Sequence, residues 1–481
     1  MDTHLAFSKR RSEVVDRILI PKFYDPDLSD SLRIASKEFD LPELGEILLP
    51  GSAGSRLGDW VRREEYGGGD IPYVRTSDLS HWRIRSDFKK GVSEELYDRL
   101  RAKQDVLAGD ILMVAHGTYL VGDVAFVAPE DSRIVIQDHV FRLRVDSTKG
   151  LDAYLLLAAL STVFVKRQVR SRQFSADIID KIGDRHLGIR VPIPKNGTLQ
   201  REAAARVRNV LEAQSATREA IKEASESSLR MTRERAEAKY GFTVKRAAIR
   251  NRILIPKYYD PELEAELEEA VRVTGERWLS IGKLIADGVI SAETGVEVGK
   301  MAYGTGTIPF IRTTDLVDWE LKLDVRHGVG QEVYEAFDPK GTLAPRDVIL
   351  VRDGTYLVGS SALVSPDDLP AMFCGGLYRL RVKKEGAVDP HTLLALLNLP
   401  LVRRQMRAKQ FTRDVIDTLG HRLLEVTIPS PFGKTAQELA HQVEEIMRRK
   451  ADLKRGIGET IRLIEPRIPS IGEGRPSWSM R

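Results

Sequence analysis

Short apolar runs bounded by turn-forming residues recur in two parts of the chain. The runs are rich in β-branched residues, and each is flanked by Gly, Pro, Asp or Ser, which is the pattern of half-buried strands. They cover residues 71–74, 111–114, 121–127 and 140–145 in the first part, and residues 308–311, 348–351, 357–364 and 378–382 in the second. The pattern therefore predicts two sets of short strands.

A helical stretch follows each set of strands, at residues 154–172 and 391–409. A further short strand that ends in proline comes next, at residues 189–194 and 426–431. Each part is therefore predicted to be a mixed α/β domain of about 180 residues, and the fold class of the chain to be α+β.

Two longer segments have a different pattern. Residues 198–239 contain no Gly or Pro and are dense in Ala, Glu, Arg and Lys, which favours one long helix. The counterpart near the C-terminus carries a seam at alternating steps of four and three, formed by Leu439, Val443, Ile446, Lys450, Leu453, Ile457, Thr460 and Ile464. This spacing is typical of a coiled coil, so we expect two long helices that separate the domains and pair antiparallel. About 30 helical residues span about 45 Å, a little more than one turn of duplex DNA. The alternative, in which each helix packs on its own domain, is favoured by Gly456 and Gly458 within the seam.

The two strand-rich parts are copies of each other. Residues 17–28 return at 252–263 with ten of twelve positions identical, residues 71–79 return at 308–316, and residues 117–122 return unchanged at 354–359. The offset is 235 residues at the first match and 237 at the others, so whole domains are duplicated with one small insertion. A repeat of this length excludes a solenoid and suits a partner that also comes in two halves.

The predicted organisation has five segments. They are an N-terminal segment 1–16, a first domain 17–196, a spacer helix 197–250, a second domain 251–432, and a second spacer helix with a tail, 433–481.

Composition narrows the class of protein. A chain of 481 residues that is 42% hydrophobic and 30% charged can bury several cores. The single cysteine, Cys374, excludes an internal disulfide and fits a reducing cytoplasm. The longest apolar run, residues 153–165, is too short to span a bilayer, and the N-terminus has no signal-peptide core. The net charge of +4 permits nucleic-acid binding without requiring it, so any basic footprint must be local.

Catalytic motifs fail on their spacing. Gly433-Lys434-Thr435 lacks the glycine that a phosphate-binding loop requires five residues earlier, where Ile428 stands. Ser430-Pro431-Phe432 lacks the second proline of the amino-methyltransferase tetrad, and the histidines and the cysteine show no metal-binding spacing. We therefore expect a non-catalytic chain without a metal or cofactor of its own.

The order of the repeated motifs points to one family. Each copy has an Ile-Pro-aromatic strand that continues into Arg-Thr and Asp-Leu, and the first copy continues through Gly109-Asp110-Ile111 and Gly117-Thr118 to a closing Val191–Pro194 before the long helix. Over residues 17–465 the chain resembles the specificity subunit of type I restriction-modification systems. The Ile-Pro-Lys-aromatic-Tyr-Asp-Pro segment before each domain is more similar to related methyltransferase-linked recognition domains.

The resemblance implies a function. In that family, two target-recognition domains each read one half of a split sequence in double-stranded DNA, and the helices set the gap and carry adenine methyltransferase subunits. A translocase-nuclease subunit joins them, and S-adenosylmethionine, ATP and Mg belong to these partners. The alternatives are the specificity protein of another methyltransferase-linked phage-defence system and a divergent nuclease.

Positions that differ between the two copies are candidates for reading bases, because an identical frame would present them to different half-sites. Ala115-His116 becomes Arg352-Asp353, and the stretch from Ser80 to Arg85 becomes Val317 to Lys322. Arginine donates twice to guanine, aspartate accepts from cytosine, and histidine reaches a purine edge. The candidates are His81, Arg83, Arg85, His116, Asp318, Lys322, Arg352 and Asp353. The alternative is sequence drift on a solvated surface.

Polar residues shared by both copies are candidates for phosphate contacts, which position a domain without reading sequence. They are Arg75, Thr76, Thr118, Tyr119, Lys166, Arg167, Arg170 and Arg172 in the first copy, and Arg312, Thr313, Thr355, Tyr356, Arg403, Arg404, Arg407 and Lys409 in the second. The helical cations among them also favour the negative end of the helix dipole, which is the competing explanation. Asp78 and Asp315 are expected to cap a turn or helix.

Overall fold

The computed structural model describes residues 10–14, 18–85, 91–117, 120–176, 179–227, 241–249, 253–275, 277–323, 328–354, 357–383, 388–413 and 416–466. The chain divides into two compact units. The first comprises Met1–Ile84, Gly91–Leu211 and Gly456–Arg481, and the second comprises Arg85–Lys90 and Glu212–Arg455. Each of the two long helices therefore contributes to both units.

The described part of the first repeat contains five α-helices and thirteen short strands. Its helices are α1 Pro26–Ala35, α2 Leu44–Ile47, α3 Glu94–Gln104, α4 Ala153–Leu160 and α5 Val163–Arg172. Its strands are β1 Phe39–Asp40, β2 Ser55–Leu57, β3 Tyr66–Val74, β4 Leu79–Ser80, β5 Arg83–Ile84, β6 Gly91–Val92, β7 Ile111–Val114, β8 Val124–Phe126, β9 Val135–Ile136, β10 Val140–Leu143, β11 Phe174–Ala176, β12 Ile179–Lys181 and β13 Ile193–Pro194. The long helix α6, Gly197–Ser227, follows it.

The second repeat has the same plan. Its helices are α7 Pro261–Thr274, α8 Ile281–Ala286, α9 Gln331–Ala336, α10 Pro390–Asn398 and α11 Pro400–Lys409, and the long helix α12, Lys434–Leu463, follows. Its strands are β14 Trp278–Ser280, β15 Ile290–Thr294, β16 Phe310–Ile311, β17 Leu316–Val317, β18 Glu320–Leu321, β19 Val348–Val351, β20 Ser361–Leu363, β21 Met372–Phe373, β22 Leu377–Val382, β23 Phe411–Arg413, β24 Ile416–Thr418 and β25 Thr427–Pro429. The mixed helix and strand content agrees with the predicted α+β class.

A four-stranded antiparallel sheet lies at the centre of each repeat. Its strand order is β2-β10-β7-β8 in the first repeat and β15-β22-β19-β20 in the second. The apolar runs predicted at 111–114 and 348–351 match β7 and β19 end to end, and every residue of both strands is buried. Burial on both faces explains why these strands are continuously apolar rather than alternating. The neighbouring run at 121–127 yields only a short strand, because Gly122 turns the chain with a φ of +86°.

The helical stretch after each sheet is two helices rather than the single helix that the sequence predicts. In the first repeat the break falls at Thr162, whose hydroxyl accepts a hydrogen bond from the amide of Val165. The carboxylate of Glu465 also accepts from the amides of Val163 and Phe164, at 2.8 and 2.9 Å. These bonds satisfy N–H groups that a new helix leaves free. In the second repeat Pro400 occupies the first position of α11, where its missing N–H costs nothing.

The long helices bury the predicted seam. Six of its residues are buried, namely Leu439, Val443, Ile446, Ile457, Thr460 and Ile464, while Lys450 and Leu453 are half-buried. Within the first unit, a Cβ built on Gly456 of α12 would lie 3.5 Å from Val210 of α6. Within the second unit, residues 220–224 of α6 share one core cluster with Leu439, Val443 and Ile446. Residues later in α6 thus lie beside residues earlier in α12, the order of an antiparallel pair. Regular knobs-into-holes packing stays a prediction, as does helix beyond residue 227, since 228–240 lie outside the described residues.

Candidate nucleic-acid interface

The turn after β7 and the turn after β19 have the same backbone hydrogen bonds. In the first repeat the amide of Ala115 donates to the carbonyl of His139 at 2.8 Å, and in the second the amide of Arg352 donates to that of Gly376 at 2.9 Å. Ile182 follows β12, and its amide donates to the carbonyl of Ala115 at 3.2 Å. Leu419 follows β24, and its amide donates to the carbonyl of Arg352 at 3.0 Å. The glycines that follow, Gly117 and Gly354, have φ of +137° and +136°, which an L side chain rarely adopts. The frame is therefore common to both repeats.

A small hairpin forms the other wall of this frame. Strands β11 and β12 pair antiparallel, as do β23 and β24. An arginine packs against an aromatic ring at the base of each hairpin. The guanidinium of Arg185 lies 4.3 Å from the ring centre of Phe174, and the guanidinium of Arg422 lies 3.9 Å from the ring centre of Phe411. Both arginines also donate to two backbone carbonyls of the hairpin base and the preceding helix. The hairpins are thus structural equivalents that present their strand ends beside the turn.

Positions that differ between the repeats come together in this frame. The pairs are Ala115 and Arg352, His116 and Asp353, Asp138 and Gly375, His139 and Gly376, and Lys181 and Thr418. The backbone bridges that join His116 to Lys181 and Asp353 to Thr418 place the turn against the hairpin in both repeats. We call these five positions the variable cluster. Its side chains differ in charge and size between the repeats, although the backbone hydrogen bonds around them are the same.

In the first repeat the variable cluster is rich in histidine. The rings of His116 and His139 lie 5.0 Å apart, edge to face, and Lys181 is exposed beside them. Burial lowers the pKa of His116, and the neighbouring His139 and Lys181 lower it further. At neutral pH His116 is therefore a neutral ring that can donate from one nitrogen and accept at the other.

In the second repeat the variable cluster contains an ion pair. Arg352 donates through Nε and Nη2 to both carboxylate oxygens of Asp353, at 2.9 and 2.7 Å. The hydroxyl of Thr418 donates to Asp353 Oδ1 at 2.5 Å, and the guanidinium lies 5.8 Å from the ring centre of Tyr378. The hydrogen bond to Asp353 raises the pKa of Arg352, so the group is always charged. The candidate His116 in the first repeat and the candidates Arg352 and Asp353 in the second thus occupy equivalent positions of the variable cluster.

A further difference lies beneath the variable cluster. His186 is buried against Phe141, donates from Nδ1 to the carbonyl of Gly183 at 2.7 Å, and accepts at Nε2 from the hydroxyl of Ser55 at 2.7 Å. Burial lowers the pKa of His186. In the second repeat the hydroxyl of Tyr378 donates to the matching carbonyl instead. The side chain that donates to this carbonyl therefore also differs between the repeats, His186 in the first and Tyr378 in the second.

The second variable stretch, residues 80–85, forms a tight hairpin rather than an open surface. His81 and its counterpart Asp318 occupy the turn with positive φ, at +48° and +46°, and both are half-buried. Arg83 and Arg85 are only 6% and 3% exposed. The expectation that these two arginines are exposed is therefore wrong, and their guanidinium groups have protein partners where a base edge would have to be.

The contacts of these buried groups explain their divergence. Arg83 pairs with Glu130 and Asp131, at 2.7 and 3.2 Å, whereas its counterpart Glu320 pairs with Lys450 of α12 at 3.3 Å. Arg85 donates to the carbonyl of Leu316 at 3.1 Å. The charge reversal from Arg83 to Glu320 thus follows from different protein partners. Lys322 is half-buried beside this hairpin.

The helical cations predicted to contact phosphates are largely engaged within their own repeat. Arg167 lies 3.6 Å from Asp25, and Arg404 pairs with Asp260, Glu262 and Glu266 of the α7 segment. These pairs fasten the Pro-Lys-aromatic-Tyr-Asp-Pro segment and its helix to α5 and α11, a role that the sequence did not reveal. Other members also have local contacts: Lys166 with Asp123, Arg172 with the carbonyl of Gly188, Arg403 with Asn398 and Ser360, and Lys409 with Glu425 and Tyr258. Arg407 is exposed and Arg170 half-buried.

Arg75 and Arg312 follow the strand ends as predicted, with Thr76 and Thr313 half-buried beside them. Asp78 and Asp315 accept from the amides of these arginines at 2.9 and 2.8 Å, so the prediction that the aspartates cap a turn is confirmed. Thr118, Tyr119, Thr355 and Tyr356 lie outside the described residues.

Sequence reasoning missed the hairpin positions Lys181 and Thr418. A signal for them exists, because Gln173-Phe174 and Gln410-Phe411 begin a second shared segment that ends in Gly183 and Gly420. Aligning that segment would have shown the difference at its ninth residue, Lys181 against Thr418.

The described residues contain neither a metal-binding group of side chains nor a membrane-spanning helix. Among the described residues, no group of three or more His, Cys, Asp or Glu side chains is arranged to hold a metal ion. No helix in the described part of the chain has both the length and the apolar character needed to cross a bilayer.

Comparison with known proteins gives fold neighbours alone. No family model and no curated protein matches the chain. Among solved structures, the chain is similar to the S subunit of a type I restriction-modification system from M. genitalium, with 12% identity over 90% of this chain and 96% of that one and a TM-score of 0.34. It is also similar to a chain of a type I R-M system described for its assembly and conformational transition, with 16% identity, 89% and 94% coverage and a TM-score of 0.28. A third is the HsdS subunit from Thermoanaerobacter tengcongensis, with 18% identity, 89% and 95% coverage and a TM-score of 0.27. These three proteins belong to the same kind of system that the sequence motifs resemble, but likeness at these TM-scores transfers no function to this chain.

Proposed function

We propose that the chain is a non-catalytic DNA-recognition subunit that reads a bipartite sequence, one half with each repeat. It brings an adenine methyltransferase, and with it a translocase-nuclease subunit, to that sequence. The recognition domains are residues 17–196 and 251–432, and the segments 197–250 and 433–481 hold the spacer helices.

The observation that carries this proposal is the variable cluster. Two repeats with the same backbone bonds around Ala115 and Arg352 place different side chains on that backbone. A duplicated frame that carries different side chains at the same place is what a protein needs to distinguish two ligands of the same general shape. The two halves of a duplex DNA site are such ligands, because they share a phosphate backbone and differ in base edges.

The chemistry of the cluster favours nucleic acid. Arg352 offers charged donors, the neutral His116 adds a polar ring whose Nδ1 is buried, and the exposed Lys181 adds a positive charge that a phosphate attracts. Arg407 is a further exposed cation, on the helix before the second hairpin. The overall charge of +4 is small, so this local arrangement matters more than the net value.

The partner proposal has separate support. The seam of α12 buries Val443 and Ile446, whereas positions between them, such as Glu444 and Arg448, are exposed. A long helix with one buried seam retains a polar surface on which other subunits can dock. The resemblance of the motifs implies that those subunits are a methyltransferase and a translocase-nuclease.

The full chain, co-expressed with its proposed partner adenine methyltransferase, should select a split sequence from a random duplex DNA library. Incubation of the purified chain alone with DNA and Mg²⁺ shows whether the chain cleaves. Enrichment of two short blocks at a constant gap without cleavage by the chain alone is the expected result. Enrichment of a single block or none would contradict bipartite reading, and cleavage by the purified chain alone would favour the nuclease alternative.

A further inference from the structure

The ion pair between Arg352 and Asp353 uses only one side of the guanidinium. Asp353 accepts from Nε and Nη2, which form the side edge of the group. The end edge, made of one Nη1 proton and the second Nη2 proton, points away from that carboxylate. Among the described residues, no hydrogen bond is made by Nη1, and the Arg352 side chain is 29% exposed. An arginine in this state still has a pair of parallel donors to offer a ligand.

The carboxylate is itself held in place. The hydroxyl of Thr418, from hairpin strand β24, donates to Asp353 Oδ1, and the backbone bridge between the two residues holds their Cα atoms together. Tyr378 supports the guanidinium from the sheet, and its hydroxyl is tied to the carbonyl of Gly420. The order of contacts is therefore Thr418 to Asp353 to Arg352.

A second ion pair of the same geometry shows what a purely structural pair is like. Arg381 donates through Nε and Nη2 to both oxygens of Asp347, at 2.6 Å each, and Arg144 does the same to Asp110 at 2.7 and 2.9 Å. This pair is present in both repeats, and Asp347 is 2% exposed, against 23% for Asp353. The Arg352–Asp353 pair differs on both counts, because it is specific to the second repeat and its carboxylate is partly exposed.

We infer that Asp353 and Thr418 are positioning residues that aim the end edge of Arg352 at the O6 and N7 atoms of a guanine in the half-site read by the second repeat. The inference rests on the proposed function and adds the base and the residues that set its recognition. Parallel donors on an arginine match the two acceptors of guanine in the major groove. Fixing the side chain beforehand removes the entropy that a free arginine would lose on binding.

This assignment changes the role of Asp353. The sequence suggested that Asp353 accepts from the amino group of cytosine, but both its oxygens already accept from Arg352, and one of them also accepts from Thr418. A carboxylate so engaged orients the arginine instead of reading a base. In the first repeat Ala115 and His116 hold these positions, so the half-site read there has no guanine contact of this kind.

The test uses the full chain in complex with its methyltransferase, and a random duplex library as the probe. The wild-type selection first identifies the sequence. Binding is then measured for duplexes in which each guanine is replaced in turn by 7-deazaguanine, which lacks the N7 acceptor, or by another base. At one position of the second half-site, the wild-type protein should bind guanine about 5- to 150-fold more tightly than any replacement. Arg352→Lys keeps the charge and should abolish that preference.

The positioning residues are tested by matched substitutions. Asp353→Asn and Thr418→Val should each lower the preference at the same guanine by about fivefold, which is typical for the loss of one hydrogen bond. Thr418→Ser keeps the hydroxyl and should restore the wild-type preference. The control is Arg381→Lys, which breaks a pair of the same geometry and should lower thermal stability without altering preference at any base. Melting curves of all variants separate folding from reading.

The outcomes separate three failures. If wild type enriches no split sequence, the proposed function itself fails. If wild type enriches a split sequence but Arg352→Lys leaves every base preference unchanged, the guanine assignment is overturned. If Arg352→Lys abolishes the guanine preference but Thr418→Val and Thr418→Ser show the same preference as each other, Thr418 has no positioning role.

Discussion

The two arginines Arg404 and Arg407 lie one turn apart on α11 but have different surroundings, which gives a direct test of phosphate contact. Arg404 is held by three carboxylates at 3.2, 3.8 and 2.5 Å, whereas Arg407 is exposed. We predict that Arg407→Ala weakens binding to every duplex similarly and makes the salt dependence shallower. Arg404→Ala should instead loosen the attachment of α7 and leave the salt dependence unchanged.

The magnitude follows from counterion release. Each phosphate contact contributes about 0.9 to the slope of log affinity against log salt concentration. Between about 50 and 200 mM salt, a fourfold change, one contact therefore accounts for about a 3.5-fold change in affinity. The ratio of wild-type to Arg407→Ala affinity should shrink by that factor over this range. For Arg404, which is 37% exposed, solvent screening limits the loss of folding free energy to about 1 kcal/mol.

The assay is fluorescence anisotropy with the selected duplex and with a scrambled duplex at four salt concentrations, alongside thermal melting. Equal slopes for wild type and Arg407→Ala would remove Arg407 from the phosphate contacts. A shallower slope for Arg404→Ala with unchanged melting would show that its carboxylate partners release it to the DNA, contrary to the role assigned here.

Three further predictions concern the scaffold. Burial raises the pKa of Cys374 to about 11, so at pH 8 its thiol should react with a maleimide far more slowly in the native chain than in urea, and equal rates would contradict this burial. Lys450→Glu should lower stability by about 1 kcal/mol, and adding Glu320→Lys should recover most of it in a double-mutant cycle, whereas additive losses would show that the 3.3 Å pair contributes nothing. Burial lowers the folded-state pKa of His186, so its contribution to stability is present above about pH 6.5 and is lost as the pH falls. His186→Leu should therefore flatten the decline of the melting midpoint between about pH 7 and pH 5. An unchanged decline would exclude His186 as its source.

The sequence predicted those elements whose cause is local. The strand at 111–114 follows from an uninterrupted apolar run, and the burial of Val443 and Ile446 follows from the spacing of the seam. The turn-capping role of Asp78 also depends only on residues three positions apart. In each case the pattern and the structural cause lie within a few residues of each other.

The sequence failed where the cause is distant. The helix break at Thr162 is completed by Glu465, which lies about three hundred positions later in the chain. Arg83 appeared exposed because the residues that bury and pair it, Glu130 and Asp131, are remote in sequence. The pairing of Arg352 with Asp353 is local, yet the contribution of Thr418 could be found only once the hairpin was placed beside the turn.

The central claim is that each repeat reads its own half of a split DNA sequence, and a domain exchange tests it most directly. In the complex with the methyltransferase, residues 17–196 are replaced by the corresponding domain of another chain with the same motifs, and the selected sequence is determined from a random duplex library. The account predicts that one half of the sequence changes while the other half and the gap remain the same. A change in both halves, or a sequence that does not respond to the exchange, would contradict it.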